Sequence, residues 1–590
     1  MSRRGRTHEG AFSASARAAV LCACAAFAAV LGIWLAGGGG IDVPWAPTWD
    51  LRLAFELDGL AALYGLLAAG IGILVFVYAS AYVPRHLAHQ GRPRHEEARL
   101  HAAMVLFLVS MLGLATAQDL IVLFVFWDLT AVASWLLIGF DRHNRDARLS
   151  ALMALLVTAV SAVLMLVGIL MLRAEYGTTQ LPELFARATA GTTVTVAAAL
   201  IAVAALAKSA QVPFHFWLPR AMAAPTPVSA YLHSAAMVAA GVFLLSRIHP
   251  LLALDRALLD AILIVGLASM AVGGVLALAA QGLKRLLAYS TISQYGYVVT
   301  MLGVGGEAGA AAACFYVLAH ALAKSALFMT AGAVTEATGA KALLDLGGLA
   351  RRMPLLAAGS AAAAAAVAAL PLTIGFFKDE LFFKAALERS TLLAVLAVAG
   401  AALTFAYMAR FWTGIFLGTP RTQPQPVERG LVWPVAVLGA LVVVGGIVVD
   451  PFADLAQDAA TVTNAGVAVE LAAAYHLDAR AENLMALAAY AAGLLLFAGR
   501  RLLVAPLALV EYIGNHFGPE RVYGIGLRGL NRLSTRLHDI EVRDLRARGR
   551  RERDTKRDEH GAGHDHGCHA GAQVAYLDVV QPGRQAVQAA

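Results

Sequence analysis

Residues 194–245 read VTVAAALIAVAALAKSAQVPFHFWLPRAMAAPTPVSAYLHSAAMVAAGVFLL. An apolar run ends at Lys208, prolines follow at 213, 219, 225 and 227, and then an apolar helix resumes. Irregular backbone at membrane depth is tolerated only where protein buries it or where it lines an aqueous cavity. The stretch therefore predicts a broken membrane helix inside a bundle, with a lysine at the break. Residues 361–387, AAAAAAVAALPLTIGFFKDELFFKAAL, repeat the theme: Pro371 interrupts an apolar run just before Lys378. Two such segments, about 165 residues apart, suggest an internal duplication, and interrupted helices at corresponding positions of two repeats point to a transport path.

The rest of the chain agrees. It is 59% hydrophobic and 14% charged with a mean hydropathy of +0.68, whereas soluble domains carry about 25% charged residues. Apolar runs of about 20 residues, the length that crosses a hydrocarbon core, recur from residue 17 to residue 449. Roughly fourteen to sixteen of them predict an all-α, multi-pass membrane protein. The first run, 17–37, follows Arg3, Arg4, Arg6 and Arg17, but it is too long for a signal peptide and reads as a membrane helix. Lys and Arg favour cytoplasmic loops. The basic N-terminus and the basic stretches 84–99 and 141–148 alternate with a weakly charged 38–56 loop, which predicts a cytoplasmic N-terminus in the inner (plasma) membrane. Topology accounts for the net charge of +7, so no nucleic-acid partner is needed. Cys22, Cys24, Cys314 and Cys568 are too few and too scattered for a disulfide framework.

A charge deep in a span costs at least about 2.5–3.5 kcal/mol on insertion scales, so each one is a functional candidate. Asp128 lies nine residues after Asp119 in DLIVLFVFWDLTAVASWLLIGF, about 14 Å along a helix. The competing structural reading is a carboxylate bonded locally to Thr130 or to a neighbouring backbone. Lys208 marks the first break, where it could otherwise be a snorkelling lysine. His233 follows in the resumed helix beside Tyr231 and Ser234, and a lone histidine there could equally be a satisfied core residue. His320 and Lys324, in CFYVLAHALAKSALFMTAGAV, share a helix face that Tyr316 extends. Lys378 stands beside Asp379 and Glu380, either of which could pair with it.

The C-terminal part differs in kind. Val522, Ile525, Leu530, Leu533 and Leu537 sit near helical spacing among arginines, as in an interfacial amphipathic helix. A charged tail then carries His560, His564, His566, Cys568 and His569. Imidazoles and a thiol can bind zinc or nickel, yet the low-complexity setting favours a disordered tail over a metal site. No nucleotide loop, nucleophile triad or cofactor motif is present, so no cofactor is expected.

The stretches PWAPTWDLRLAFELDGLAALYG, VFWDLTAVASWLLIGF, KSAQVPFHFWLPRAMAAPTPVSAYLHSAAMV, LKRLLAYSTISQYGY and FYVLAHALAKSALF resemble the antiporter-like subunits shared by respiratory complex I and Mrp-type sodium/proton antiporters. The likeness is closest to the A-type subunits of Mrp and covers roughly residues 40–540. It implies two inverted five-helix repeats, each with a broken helix, and a polar axis at mid-membrane. Asp128 then matches a glutamate that pairs with the lysine matched by Lys208. His233, His320 and Lys324 match the central relay, and Lys378 matches the lysine of the second break. The chain departs from the pattern at Asp128 (a methylene shorter than glutamate), at Ala239 in place of lysine, at Tyr316 in place of histidine and at Gly282 in place of aspartate. It also departs by one helix fewer at the N-terminus, and it lacks the further helices that follow residue 540 in full-length relatives.

The expected organisation is N-terminal helices over 1–100, a first repeat over 101–250, a second over 251–417, further helices over 418–505, an amphipathic segment over 506–545 and a His-rich tail over 546–590. The resemblance implies a proton-translocating component of a hetero-oligomeric Na+/proton antiporter, with other membrane subunits as partners, and not an enzyme. The alternatives are the proton channel of an inorganic-carbon uptake complex, the membrane arm of a complex I-like hydrogenase or dehydrogenase, and a non-conducting scaffold.

Overall fold

A computed structural model describes residues 13–503 apart from 50 and 477, with a scatter of positions from 505 to 536. The chain separates into one unit over residues 1–519 and a second over 520–590, and the elements below lie in the first. The His-rich tail, with His564, His566, Cys568 and His569, lies outside the described residues. Of the expected amphipathic positions only Ile525 is described.

The chain opens with α1 (Ala14–Leu35) and an antiparallel hairpin of β1 (Gly40–Ala46) and β2 (Leu51–Glu56), in which Ile41 faces Phe55 and Val43 faces Leu53. Helices α2 (Gly59–His89), α3 (Glu96–Thr116), α4 (Leu120–Ile138) and α5 (Arg145–Tyr176) follow with short turns. Then come α6 (Leu181–Arg187), α7 (Thr192–Lys208), α8 (Trp217–Ala221), α9 (Thr226–Ser234), α10 (Met237–Arg247) and α11 (His249–Leu252). The second half holds α12 (Arg256–Ala279), α13 (Leu283–Val304), α14 (Gly306–Thr338), α15 (Pro354–Val367) and α16 (Ile374–Arg389). It continues through α17 (Thr391–Phe416), α18 (Arg429–Ile447), α19 (Asp450–Thr463) and α20 (Ala481–Ala498).

Eleven spans among the described residues are long and apolar enough to cross a membrane, with α9 and α10 counted as one. This is fewer than the fourteen to sixteen apolar runs, because the breaks shorten helices: α7 and α15 are apolar but have only 17 and 14 residues. The apolar windows of α14 and of the α9–α10 span are wholly buried, and they form the axis of the bundle. Outer helices expose leucines and valines instead, among them Leu21, Val163, Leu392 and Leu495. That is the inverse of a soluble surface and suits contact with lipid.

Both expected breaks are present. After α7 the backbone turns left-handed at Ala210 (φ 53°), and after α15 at Ala369 (φ 59°) and Leu372 (φ 64°). A side chain in that region costs roughly 1–2 kcal/mol, so the surrounding packing must hold it there. A third break was not announced by any proline: Ala235 and Ala236 separate α9 from α10 in mid-span. The two halves also share details. Gly177 ends α5 and Gly339 ends α14, both left-handed. Three residues later, Gln180 bridges Asp119 and Ala342 bridges Gly282. Asp119 caps α4 through the N–H groups of Ile121 and Val122 and accepts from Thr179 (2.6 Å) and Gln180 (2.8 Å). Gly282 at the start of α13 has no side chain to do the same.

Two ion clusters brace the bundle. Arg247, at the end of α10, donates to Asp58 at the start of α2 and to the Ala115 carbonyl (3.0 Å). Where α2, α3 and α4 meet, Arg92 donates to Glu96 (2.6 Å) and Asp141 (2.5 Å), and His86 meets Asp141 at 2.9 Å. Burial pushes the Asp141 carboxyl up, but hydrogen bonds from His86 and Gln90 with the charges of His86 and Arg92 outweigh it and hold the carboxyl below the usual carboxylate range. A depressed carboxyl contributes stability above its unfolded value, about 3.9, and loses it as pH falls through the folded value. Thermal unfolding of the purified protein is therefore expected to weaken below about pH 4, and Asp141→Asn is expected to flatten that acid limb. Arg92→Leu, which takes one cationic partner from each of Glu96 and Asp141 while His86 stays beside Asp141, is expected to destabilise by about 1–3 kcal/mol at neutral pH.

Candidate functional site

Lys208 is the last residue of α7, where the helix dipole favours a cation. It is fully buried, donates to the Trp127 carbonyl (2.8 Å) and the Thr130 hydroxyl (2.5 Å), and lies 3.8 Å from the Trp127 ring centroid. Asp128 sits between those two partners on α4, half-buried, and forms no salt bridge with Lys208. The pair implied by the resemblance is thus open, with neutral groups and an aromatic face holding the ammonium. The Thr130 hydroxyl donates to the Trp127 carbonyl (2.7 Å) and not to Asp128.

Beyond the break, the Trp217 indole donates to the Ala207 carbonyl (3.0 Å) in the last turn of α7, a carbonyl that also accepts from the Ala210 N–H. The same ring lies 6.3 Å from His233. His233 and His320 are both buried, and neither ring nitrogen of either residue has a protein partner. Such groups are uncommon in folded proteins, where nearly all buried polar atoms are bonded to protein or water. His233 is therefore not a core histidine satisfied by protein.

The α9–α10 break lies directly after His233, and its geometry recruits α13 and α14. Tyr295 donates to the Ser234 carbonyl at 3.0 Å, the Ser234 and Ser325 hydroxyls meet at 2.7 Å, and the Tyr295 ring stands edge-on to His320 at 4.9 Å. Tyr295 thus joins the break beside His233 to the face that carries His320.

That face, Tyr316, His320 and Lys324 on α14, packs antiparallel against Ser290, Gln294, Tyr295 and Tyr297 on α13. Lys324 donates to the Ser290 hydroxyl, and Tyr297 stacks on Tyr316 with centroids 5.3 Å apart. The Tyr316 hydroxyl donates to Gln294 (3.0 Å), whose amide donates to Tyr407 (3.1 Å), which in turn donates to Thr404 (3.1 Å). Lys378, in the first turns of α16, lies 4.5 Å from the Tyr316 ring centroid and donates to Asp379 at 2.6 Å. The Asp379 pairing read as one possibility from sequence is made, and it is buried.

The structure therefore brings His233, His320, Lys324 and Lys378 into one run of neighbouring polar and aromatic groups, with Lys208 and its partners at one end. Sequence reasoning missed Gln294, Tyr295 and Lys284. Gln294 belongs to a polar stripe with Ser290 and Tyr297, four and three residues apart along α13, whereas nothing in the spacing marks Tyr295. Lys284 caps the carbonyls of Met222 (3.0 Å) and Ala224 (2.6 Å) behind the first break. Its position in LKRLLAYST was visible, but nothing there signalled its partner. No group of three or more His, Cys, Asp or Glu side chains that could hold a metal occurs among the described residues.

Comparison with known proteins places this site in a family region. Residues 117–404 match the family described as NADH:quinone oxidoreductase/Mrp antiporter, TM. The chain is 38% identical over 417 residues to the A/B subunit of a probable K(+)/H(+) antiporter of Rhizobium meliloti, covering 68% of this chain and 40% of that one. It is 37% identical over 358 residues to the putative antiporter subunit mnhA2 of Staphylococcus haemolyticus, covering 58% and 44%. It thus spans less than half the length of these relatives. Among solved structures it is similar to the Mrp complex of Dietzia sp. DQ12-45-1b, with a TM-score of 0.75, 34% identity and coverage of 87% of this chain and 57% of that one. An archaeal membrane-bound sulfane sulfur reductase shares the fold at 22% identity and a TM-score of 0.66, over 76% of this chain and 91% of that one.

The hydroxyl–amide chain makes a checkable claim. Tyr316→Phe leaves the buried Gln294 oxygen without its donor and is expected to destabilise by about 1–3 kcal/mol. Adding Gln294→Leu is expected to cost less than the sum of the two single changes, as a double-mutant cycle on thermal unfolding in detergent would report.

Proposed function

We propose, from the match of residues 117–404 to the family described as NADH:quinone oxidoreductase/Mrp antiporter, TM, that this chain is the proton-translocating component of a hetero-oligomeric antiporter for a monovalent cation. The cation is Na+ or, as the rhizobial relative's name gives, K+. The observation that carries the reading is the contiguous run from Lys208 through His233, His320 and Lys324 to Lys378, buried inside a bundle whose outer faces suit lipid. Charges at that depth are retained for proton or ion paths.

In this reading Lys208 alternates between two settings. With Asp128 drawn close, the ammonium is stabilised by an opposite charge; with the pair apart, burial disfavours the charged form and the proton is released. Asp128 and Lys208 titrate as one coupled system. The proton passes through water towards the unpartnered nitrogens of His233 and His320, reaches Lys324 and leaves by way of Lys378 and Asp379. The chain's own contribution is a sequence of proton-holding sites, without covalent chemistry.

The shared construction of the two halves, with bridges at Asp119–Gln180 and Gly282–Ala342 and left-handed alanines after α7 and α15, supports two repeats. Their inverted relation, the cytoplasmic N-terminus and the plasma-membrane location remain part of the proposal, as do the partner membrane subunits suggested by the likeness to the Mrp complex.

The test is cation/proton exchange by the assembled complex in everted vesicles, with expression and assembly checked in parallel. Lys208→Ala, Lys324→Ala and Lys378→Ala are each expected to cut exchange at least about tenfold, as loss of an obligatory proton carrier would. Normal exchange in an assembled Lys208→Ala complex would sink the relay. Co-purification of a large soluble metal or redox protein, in place of small membrane subunits, would assign the same path to a different assembly.

A further inference from the structure

The loops that join α12 to α13, α14 to α15 and α17 to α18 meet at one end of the bundle. Leu283 donates to the Lys341 carbonyl, Leu343 to that of Gln281, and Gly348 to that of Leu417. A cleft of about 320 Å³ opens there, and three of its lining residues are Arg410, Arg421 and Arg500.

None of the three guanidinium groups has a carboxylate within ion-pair distance among the described residues. Their bonds go to neutral acceptors. Arg410 donates to the Ala280 carbonyl (2.6 Å) and Gln281 (2.9 Å), Arg421 to the Leu344 carbonyl, and Arg500 to the Phe497 carbonyl (2.8 Å) while lying over the Phe497 ring. Of the acids in these loops, Glu428 pairs with Arg85, and Asp345 accepts from Thr422 at its carbonyl and donates its N–H to the Ala342 carbonyl without forming an ion pair to a described residue. Three uncompensated cations in one cleft attract an anion.

A second, apolar groove of about 580 Å³ runs between α17 and α20, lined by Ala399, Leu403, Ala492, Leu495 and Leu496 among others. Along α17 the two clefts share one face: Ala399, Leu403, Arg410, Gly414 and Leu417 recur at helical spacing. The stripe is apolar at the deep end and cationic at the loop end. A linear ligand that matches both halves has an anionic head and a long hydrocarbon chain.

We infer that this face is a binding site for an anionic phospholipid, with its phosphate among Arg410, Arg421 and Arg500 and an acyl chain in the α17–α20 groove. Basic pockets between membrane helices hold such head groups, and each arginine near the surface contributes about fivefold in affinity. A polypeptide helix would fill the groove but leave the three charges without partners, and free phosphate would leave the groove empty. The lipid matches both features. The site's residues are not those of the Lys208–Lys378 run, and the inference does not depend on the proton reading.

The test uses the purified complex that contains the full chain, labelled with phosphatidylglycerol carrying a photoactivatable acyl chain and mapped by peptide. Label is expected on α17 and α20, competed by unlabelled phosphatidylglycerol about an order of magnitude better than by phosphatidylcholine. Arg421→Gln with Arg500→Gln, which spares the structural bonds of Arg410, is expected to erase that preference. Leu403→Trp, which fills the groove and keeps the arginines, is expected to remove the label. Equal competition by the two lipids, displacement by inorganic phosphate alone, or capture of a partner polypeptide by a photo-crosslinker at position 403 would each overturn the inference.

Discussion

An ammonium group has nowhere to go in hydrocarbon, and the bundle is arranged around that fact. Lys208, Lys324 and Lys378 are each buried, and each is met by groups that only a dense helical packing can supply: a carbonyl, hydroxyls, a carboxylate, and the ring faces of Trp127 and Tyr316. Burying a cation without such partners would cost several kcal/mol. The interrupted helices follow from the same need. A helix that stops in mid-membrane leaves its last turn to be met from outside, and the Trp217 indole does this at the Ala207 carbonyl, while Lys208 reaches across to the Trp127 carbonyl and Thr130 hydroxyl of α4.

The three breaks are unequal. Those after α7 and α15 carry prolines and left-handed alanines, so the residues themselves forbid a helix. The break between α9 and α10 has only alanines at 235 and 236, and an isolated chain with that sequence would remain helical. Tertiary contacts decide it. Tyr295 takes the Ser234 carbonyl, and Ser325 takes the Ser234 hydroxyl. An element whose irregularity is held by neighbouring side chains is suited to rearrangement, and it lies directly beside His233.

This explains what could be read in the sequence. The membrane class, the proline-marked breaks and the six titratable positions were legible, because composition and local backbone chemistry announce them. The state of the Asp128–Lys208 pair was not, since the gap depends on how α4 lies against α7. Apolar runs do not reveal where a helix stops short, as α7 and α15 do at 17 and 14 residues. Gln294 and Tyr295 looked like ordinary polar residues until α14 was seen opposite them. The tail was read from composition and the segment before it from helical spacing.

The claim on which the functional account rests is that His233 and His320 face a hydrated passage and not a dry core. Cryo-electron microscopy of the assembled complex, at a resolution that reveals ordered water, tests it directly. The account predicts water within about 3 Å of at least one ring nitrogen of each histidine, in a file that reaches towards Lys208 on one side and Lys324 on the other. Apolar side chains packed against all four ring nitrogens, with no water between His233 and His320, would contradict it.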